Sequence, residues 1–307
     1  MSATSSPQKY KGASMTDAQE AADSRRRTRM GMVLRSLRQD KGALFGAGIL
    51  ITIILFVLIV PILSDRSPTA PDPANGSLPP LSPGYVLGSD QLGRDIMTRI
   101  AYGGRVSLIV AIIPVITSLV LGVFLGLVAG YYGGFADSLI MRSMDVMLAI
   151  PALLFAIGIA AALGPSMRNL IIALLVVGVP SFARIVRSQV LQVRETDYVL
   201  ASRAIGQHQR GIILRHVLPN VLAPVIVFAT LQTGLMIILA AGLSFLGLGV
   251  QPPTPDWGVM LAQGRPVLAN APHVATVPGL VIFAVVIGLN LLGDGLRDAL
   301  DPRLTGS

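Results

Sequence analysis

The sequence predicts an all-α fold, a polytopic membrane protein with six transmembrane helices. Of its 307 residues 52% are hydrophobic and 13% charged, and the mean hydropathy is +0.69. This composition is far from that of soluble globular proteins and excludes a soluble enzyme. Six segments carry the roughly 20 apolar residues that a helix needs to cross about 30 Å of hydrocarbon. The predicted spans are 44–63, 106–130, 138–163, 169–187, 219–246 and 274–293.

Composition also excludes several kinds of site. The chain has no cysteine, which rules out a disulfide framework, a reactive thiolate and a cysteine metal site. Its three histidines lack the spacing of a metal motif. The net charge of +8 would suit nucleic acid, but cytoplasmic loops of membrane proteins are basic as well. We expect a lipid bilayer as partner and no nucleic acid.

Residues 1–43 are predicted to be a largely disordered cytoplasmic tail, because they are polar and carry a basic run at 25–29. The following segment, 44–104, is expected to contain the first span, an external loop and an interfacial helix. We interpret 44–63 as a retained span and not a signal peptide. It is long enough to cross a membrane, and no small-residue cleavage pattern follows it.

Lysine and arginine placement predicts the orientation. Nine of these residues lie between Lys9 and Lys41 and six between Arg184 and Arg215, whereas the loop after the first span holds only Arg66, Arg94 and Arg99. Under the positive-inside rule both termini and residues 188–218 are cytoplasmic, and 64–104 and 247–273 are external. The chain is therefore expected to be a multi-pass protein of the cytoplasmic, or inner, cell membrane.

Two external segments have helical or interfacial character. Residues 91–102 place three apolar side chains on one helical face and Arg94, Asp95 and Arg99 elsewhere, which suits a helix at the outer interface. An amphipathic lead-in to the second span and a surface that receives an external partner both remain open. Trp257, the only tryptophan, is expected at the membrane boundary after a proline-rich stretch.

Residues 105–307 are predicted to form a core domain of five spans with a cytoplasmic hairpin at 188–218. In this hairpin 198–206 is predicted to be a short helix whose small residues permit close approach to a partner. Gly206 supplies a turn at low steric cost. A second helical piece over 210–218 then ends at Pro219.

The hairpin resembles the Glu-Ala-Ala loop of ABC import permeases, with Ala201-Ser202, Gly206 and Leu218-Pro219 at the family's spacings. The acidic position of that motif is Leu200 here, so the salt bridge of a glutamate is not expected. Further stretches are similar to the second permease subunit of the dipeptide and oligopeptide branch. They are 88–108, 129–151 (AGYYGGFADSLIMRSMDVMLAIP), 243–261 (LSFLGLGVQPPTPDWGVML) and 291–302 (LLGDGLRDALDP).

This resemblance implies the type I ABC importer permease fold and a permease subunit for di- or oligopeptides. The expected partners are a homologous second permease, one or two ATP-binding subunits and an extracytoplasmic peptide-binding protein. No phosphate-loop motif is present, so no enzymatic activity or cofactor is expected in this chain, and ATP and Mg²⁺ are expected on the partners. The residues expected to couple to the ATPase are Leu200, Ala201, Ser202, Arg203, Ala204, Gly206, Gln207, Leu218 and Pro219.

Nickel complexes, glutathione and sugars remain open as substrates, and pore-lining residues are not assigned. A secondary transporter or channel without ATPase partners is the alternative, but the middles of the spans almost lack the charged residues of an ion relay. Arg142 and Asp145 are predicted to neutralise each other across one helical turn. Gly122, Gly126 and Gly130 predict a close helix contact.

Overall fold

A computed structural model of the protein describes residues 36–300. The predicted disordered state of the tail lies almost wholly outside this range. Residues 36–300 contain no strand, only helices, turns and two isolated bridges. Residues 36–39 are helical, and the helices that follow are α1 Lys41–Leu63, α2 Ile96–Tyr132, α3 Gly134–Leu148, α4 Ala152–Leu163, α5 Met167–Arg194, α6 Asp197–Ala204, α7 Gln209–Phe245, α8 Trp257–Gly264 and α9 His273–Leu300.

The membrane-spanning character of the chain is confirmed. Within residues 36–300 five helices, α1, α2, α5, α7 and α9, are long and apolar enough to cross a membrane. The predicted third span, 138–163, is not one helix. It is divided into α3 and α4, which meet at 89°, and the number of spans is six if this bent pair crosses the membrane as one span. The break falls at Pro151, which lacks an N–H and disfavours helical backbone in the residue before it.

Aspartate caps explain where three helices begin. The carboxylate of Asp40 accepts from the N–H groups of Gly42 and Ala43, that of Asp95 accepts from Thr98, and that of Asp256 accepts from Gly258 and Val259. Because α2 starts at its cap and continues unbroken to Tyr132, the predicted interfacial helix over 91–102 is not a separate element. Its second half is the lead-in to the second span.

The glycine repeat of α2 makes the close contact that the sequence predicts. A Cβ atom added at Gly126 would lie 2.6 Å from the Cβ of Val186, and one at Gly130 would lie 2.8 Å from that of Val190. A Cβ at Gly122 would collide with Phe182 in the same way. Helix α5 therefore lies directly against the backbone of α2, as small residues allow in membrane helix pairs.

Helices α1 and α9 form a second close pair and bring the two ends of the described chain together. An added Cβ at Gly46 would lie 2.7 Å from the carbonyl oxygen of Gly288, and one at Gly295 would meet Ala43. We call this end of the bundle the hairpin end, since it also carries residues 195–208. The opposite end, with 64–95 and 246–272, is the loop end.

A buried ionic network lies at the loop end. Asp90 accepts from the Nε atoms of Arg94 at 2.7 Å and of Arg99 at 3.3 Å, and both guanidinium groups also donate to the side chain of Gln263. The two arginines are 4% and 1% exposed, so they are not free to receive an external partner. Trp257 is fully buried and donates from Nε1 to the carbonyl of Ile100, and is therefore not a boundary residue.

Candidate functional site

Helix α6 is a single short helix that projects from the end of α5. Helix α5 ends at Arg194, and α6 begins after two connecting residues, with Asp197 in its first turn and Arg203 in its last. These charges suit the positive and negative ends of the helix. Val199 is fully buried and anchors the inner face of α6 to the bundle. The eight residues of α6 thus have one fixed side and one free side.

The free side of α6 is built from small residues between two aliphatic ones. Ala201, Arg203 and Ala204 are exposed, Leu200 is 43% exposed and Ile205 is 82% exposed. Ser202 is half-buried, and its hydroxyl donates to the carbonyl of Tyr198 at 2.7 Å. The predicted residues 200–204 thus lie on or beside one surface. We call this surface, with Ile205 included, the α6 face. The sequence analysis did not include Ile205 among the coupling residues. Its position directly before the turn glycine Gly206 could have indicated an exposed apolar side chain.

Gly206 closes α6 with two hydrogen bonds. Its own N–H donates to the carbonyl of Arg203 at 3.0 Å, and the N–H of Gln207 donates to that of Ser202 at 3.1 Å. This pair is the Schellman arrangement, which requires left-handed backbone at the glycine. Gly206 has φ +77°. An added Cβ would meet nothing within 4 Å, so only the backbone conformation requires glycine here.

The second arm of the hairpin differs from the prediction. Residues 210–218 are not a separate helix, because α7 runs from Gln209 to Phe245 with a π-helical turn at Ile213–Val217. That turn ends two residues before Pro219, which has no N–H to donate to the preceding turn of the helix. Leu218 and Pro219 consequently lie in the wall of α7, roughly 13 Å beyond its start at 1.5 Å per residue, and not in the α6 face.

Aromatic contacts attach α6 to the neighbouring spans. The guanidinium carbon of Arg203 lies 5.0 Å from the ring centroid of Tyr131 at the end of α2, within cation–π range. The ring of Tyr198 lies 6.3 Å from that of His216 in α7. Because α6 also follows α5 directly, it is connected to three spans.

Ion pairs join α3 to α5 at the same end of the molecule. Arg187 donates from Nε and Nη2 to the two carboxylate oxygens of Asp137, and Arg184 contacts Asp145 at 2.6 Å. The predicted pairing of Asp145 with Arg142 is therefore wrong, because the neighbouring helix offers a closer guanidinium than the same helix does. These bonds connect the bent third span to the helix that carries α6.

Comparison with known proteins places this architecture in a family. Residues 122–306, which contain α6 and the spans around it, match the binding-protein-dependent transport system inner membrane component. This match covers more than half of the chain. The chain belongs to this family. Residues 28–80 of this permease also match the N-terminal transmembrane domain of oligopeptide transport permease C.

Individual relatives agree with the family match. The permease is 47% identical to the dipeptide transport system permease protein DppC of Alkalihalophilus pseudofirmus over 270 residues, 88% of each chain. It is also 47% identical to the glutathione transport system permease protein GsiD of Pectobacterium atrosepticum over 223 residues, 73% of this chain and 74% of that one. The expected branch of the family is therefore confirmed.

A solved structure confirms the type I importer fold. A chain of the MetNI methionine ABC transporter in an inward-facing conformation superposes with a TM-score of 0.52 at 18% identity. The superposition covers 65% of this permease and 95% of that chain. At this identity the likeness establishes the fold and leaves the substrate to other arguments.

Proposed function

We propose that this permease forms half of the translocation channel of an ATP-driven importer of di- or oligopeptides. Its partners are a homologous second permease, one or two separate ATP-binding subunits and an extracytoplasmic peptide-binding protein. ATP and Mg²⁺ are bound by the ATP-binding subunits. Relatives named as dipeptide permeases, at 47% and 44% identity over 88% of this chain, support the peptide substrate.

The α6 face is the observation that carries the proposal. It exposes small side chains flanked by Leu200 and Ile205, which suits insertion into a groove of another protein. Val199 is buried on the inner side of α6, while Arg203 contacts Tyr131 of α2 and Tyr198 lies beside His216 of α7. We assign coupling to residues 200–207 together with Leu218 and Pro219, which support the base of the hairpin from α7.

The distribution of positive charge supports the orientation that we propose. The hairpin end carries most of the lysines and arginines, so we place it and both termini in the cytoplasm. Closure of the ATP-binding subunits on nucleotide would move α6, and α5 would carry α3 with it through Asp137 and Asp145. The spans then change between inward-open and outward-open states, which the differential binding energy of ATP drives.

Replacing Ala201 with arginine tests the coupling contact. Ala201 is exposed, so the longer side chain fits the free permease, but it adds bulk and charge in the middle of the α6 face. We expect Ala201→Arg to insert normally, to lose the ATP-binding subunit in mild-detergent purification and to lose transport. Mass spectrometry of the co-purified chains is the measurement.

Ser188→Arg, on an exposed position of α5, is the matched control and should retain the ATP-binding subunit. Retention by both variants would refute the α6 contact. If the unaltered permease co-purifies with no other subunit under conditions that preserve other membrane complexes, the secondary-transporter alternative is favoured instead.

A further inference from the structure

The break between α3 and α4 puts non-helical backbone in the middle of the bent pair that is the candidate for the third span. Ala149, Ile150 and Pro151 connect the two helices and are all exposed on this chain. Hydrocarbon does not satisfy free backbone N–H and C=O groups, so such a break is tolerated only in protein or beside water. The exposed side of the bend therefore faces a hydrated path or another protein chain, and not lipid.

A cavity of about 160 Å³ lies under this bend. Its wall is mostly apolar and comes from three parts of the fold, with Met147, Pro151 and Phe155 from the bend, Ser181 from α5, and Gln232 and Met236 from α7. The cavity thus joins the bent span to the two helices that lead into and out of α6. A ligand in it would contact the parts of the permease that move with α6.

Gln232 is the feature of this cavity that packing does not explain. Only 8% of its surface is exposed, yet among residues 36–300 no hydrogen bond reaches its side-chain amide. The hydroxyl of Ser181, in the same wall, likewise has no partner among those residues. The amide atoms of Gln232 are not among the fully buried unpaired atoms of residues 36–300, so they are accessible from the cavity. The amide is therefore available to a ligand.

The first turn of α4 adds a second polar group to the cavity. Pro151 precedes α4 and has no side chain that can accept from the first N–H groups of the helix, which are therefore uncapped. Pro151 and Ala152 both line the cavity. The N-terminal end of a helix of twelve residues attracts anions, a carboxylate included.

We propose that this cavity is a binding site for the main chain of a short peptide on the translocation path. Gln232 pairs with a peptide amide as both donor and acceptor, and the first turn of α4 faces the terminal carboxylate. Met147 and Met236 are flexible side chains that adapt to substrate residues of different shape. The site therefore recognises the main-chain amide and the terminal carboxylate, which all peptides share. This inference rests on the proposed function.

Uptake by the complete transporter in proteoliposomes tests the role of Gln232. The substrates are L-alanyl-L-alanine and L-alanyl-L-lactate, in which an ester oxygen replaces the amide N–H. We expect Gln232→Leu to lower dipeptide uptake about fivefold, the value of one hydrogen bond of about 1 kcal/mol. Uptake of the ester should fall less, because the ester cannot donate to the glutamine oxygen. The selectivity of the binding protein cancels, since each substrate is compared between the two permeases.

Stability separates a binding role from a structural one. Gln232→Leu removes no hydrogen bond of the described chain, so its melting temperature should equal that of the unaltered permease. Equal uptake of the dipeptide by both permeases would overturn the site while leaving peptide import intact. No dipeptide uptake by the unaltered transporter would overturn the proposed function and the site with it.

Cysteine labelling tests occupancy of the cavity directly. Since the chain has no cysteine, a single Gln232→Cys variant is labelled only at that position in this subunit. A water-soluble thiol reagent should label it in the assembled transporter, and L-alanyl-L-alanine should slow that labelling. Ile226→Cys, on the same helix and 48% exposed outside the cavity, is the control that the dipeptide should not protect. Failure to label at 232 would show that lipid or a partner chain fills the cavity.

Discussion

At the scale of single residues, Gly206 determines the shape of the hairpin. Its left-handed backbone lets two N–H groups return to carbonyl groups of α6, which ends the helix and turns the chain toward α7. No neighbouring atom restricts the position, so a substitution there acts through backbone strain alone. Because a substitution at Gly206 changes the backbone and no packing contact, it tests directly whether the end of α6 must be ordered for coupling.

Gly206→Val should uncouple the transporter without unfolding it. A left-handed residue with a Cβ costs roughly 1–2 kcal/mol, so the end of α6 should open, and substrate-stimulated ATP hydrolysis should fall about fivefold or more. Gly206→Asn is the control, because asparagine tolerates this conformation better than other residues with a side chain. Stimulated ATP hydrolysis that is equal in the valine and glycine forms would show that the turn does not matter for coupling.

At the scale of elements, the pair α2 and α5 fixes the position of α6. Three glycines of α2 bring the two helices into backbone contact, and α5 then leads directly into α6. The hydropathy of either helix does not reveal this contact, because both helices are apolar over most of their length. The four-residue spacing of the glycines was nevertheless a correct sequence signal.

Gly126→Ala should weaken this helix pair. The new methyl group would lie 2.6 Å from the Cβ of Val186, and such overpacking costs about 1–3 kcal/mol. We expect a lower midpoint of thermal unfolding in detergent. Gly158→Ala in α4 has open space around it and should be neutral or slightly stabilising. If the two variants unfold at the same temperature, the contact between α2 and α5 is looser than the structure shows.

At the scale of the whole molecule, the loop end connects segments that are far apart in sequence. The Asp90 network joins residues 68, 94 and 99 to Gln263 near the end of α8. Asp256 adds a second connection, since its carboxylate accepts from Ser107 of α2 at 2.7 Å and caps α8. The loop-end part of α2 is therefore bound to α8, away from the α6 face.

Asp256 should make this connection sensitive to pH. Burial raises the pKa of the Asp256 carboxyl above its ordinary value, although hydrogen bonds from Ser107 and from the N–H groups of Val259 and Gly258 oppose the shift. The folded state therefore holds the proton more tightly than the unfolded state. Stability from this group is fully present below about pH 3.9, the unfolded pKa, and decreases as pH rises through the folded pKa.

Asp256→Asn should remove this dependence. Asparagine still caps α8 and carries no charge to desolvate, so its midpoint of thermal unfolding should exceed that of the unaltered permease increasingly as pH rises from about 4 toward 7. Parallel curves for the two proteins across that range would mean that Asp256 does not contribute to the pH dependence of stability.

The sequence by itself determined the apolar spans, the glycine contact and the place of α6, because each depends on residues that are neighbours along one helix. It also identified the small residues Ala201, Ser202 and Ala204 as suited to close approach by a partner. Only the tertiary structure decided the 89° bend, the partner of Asp145 and the burial of Arg94 and Arg99. These features depend on which helices contact each other. The hydropathy pattern along the chain does not predict which side chain on another helix will pair with a charged group or an amide.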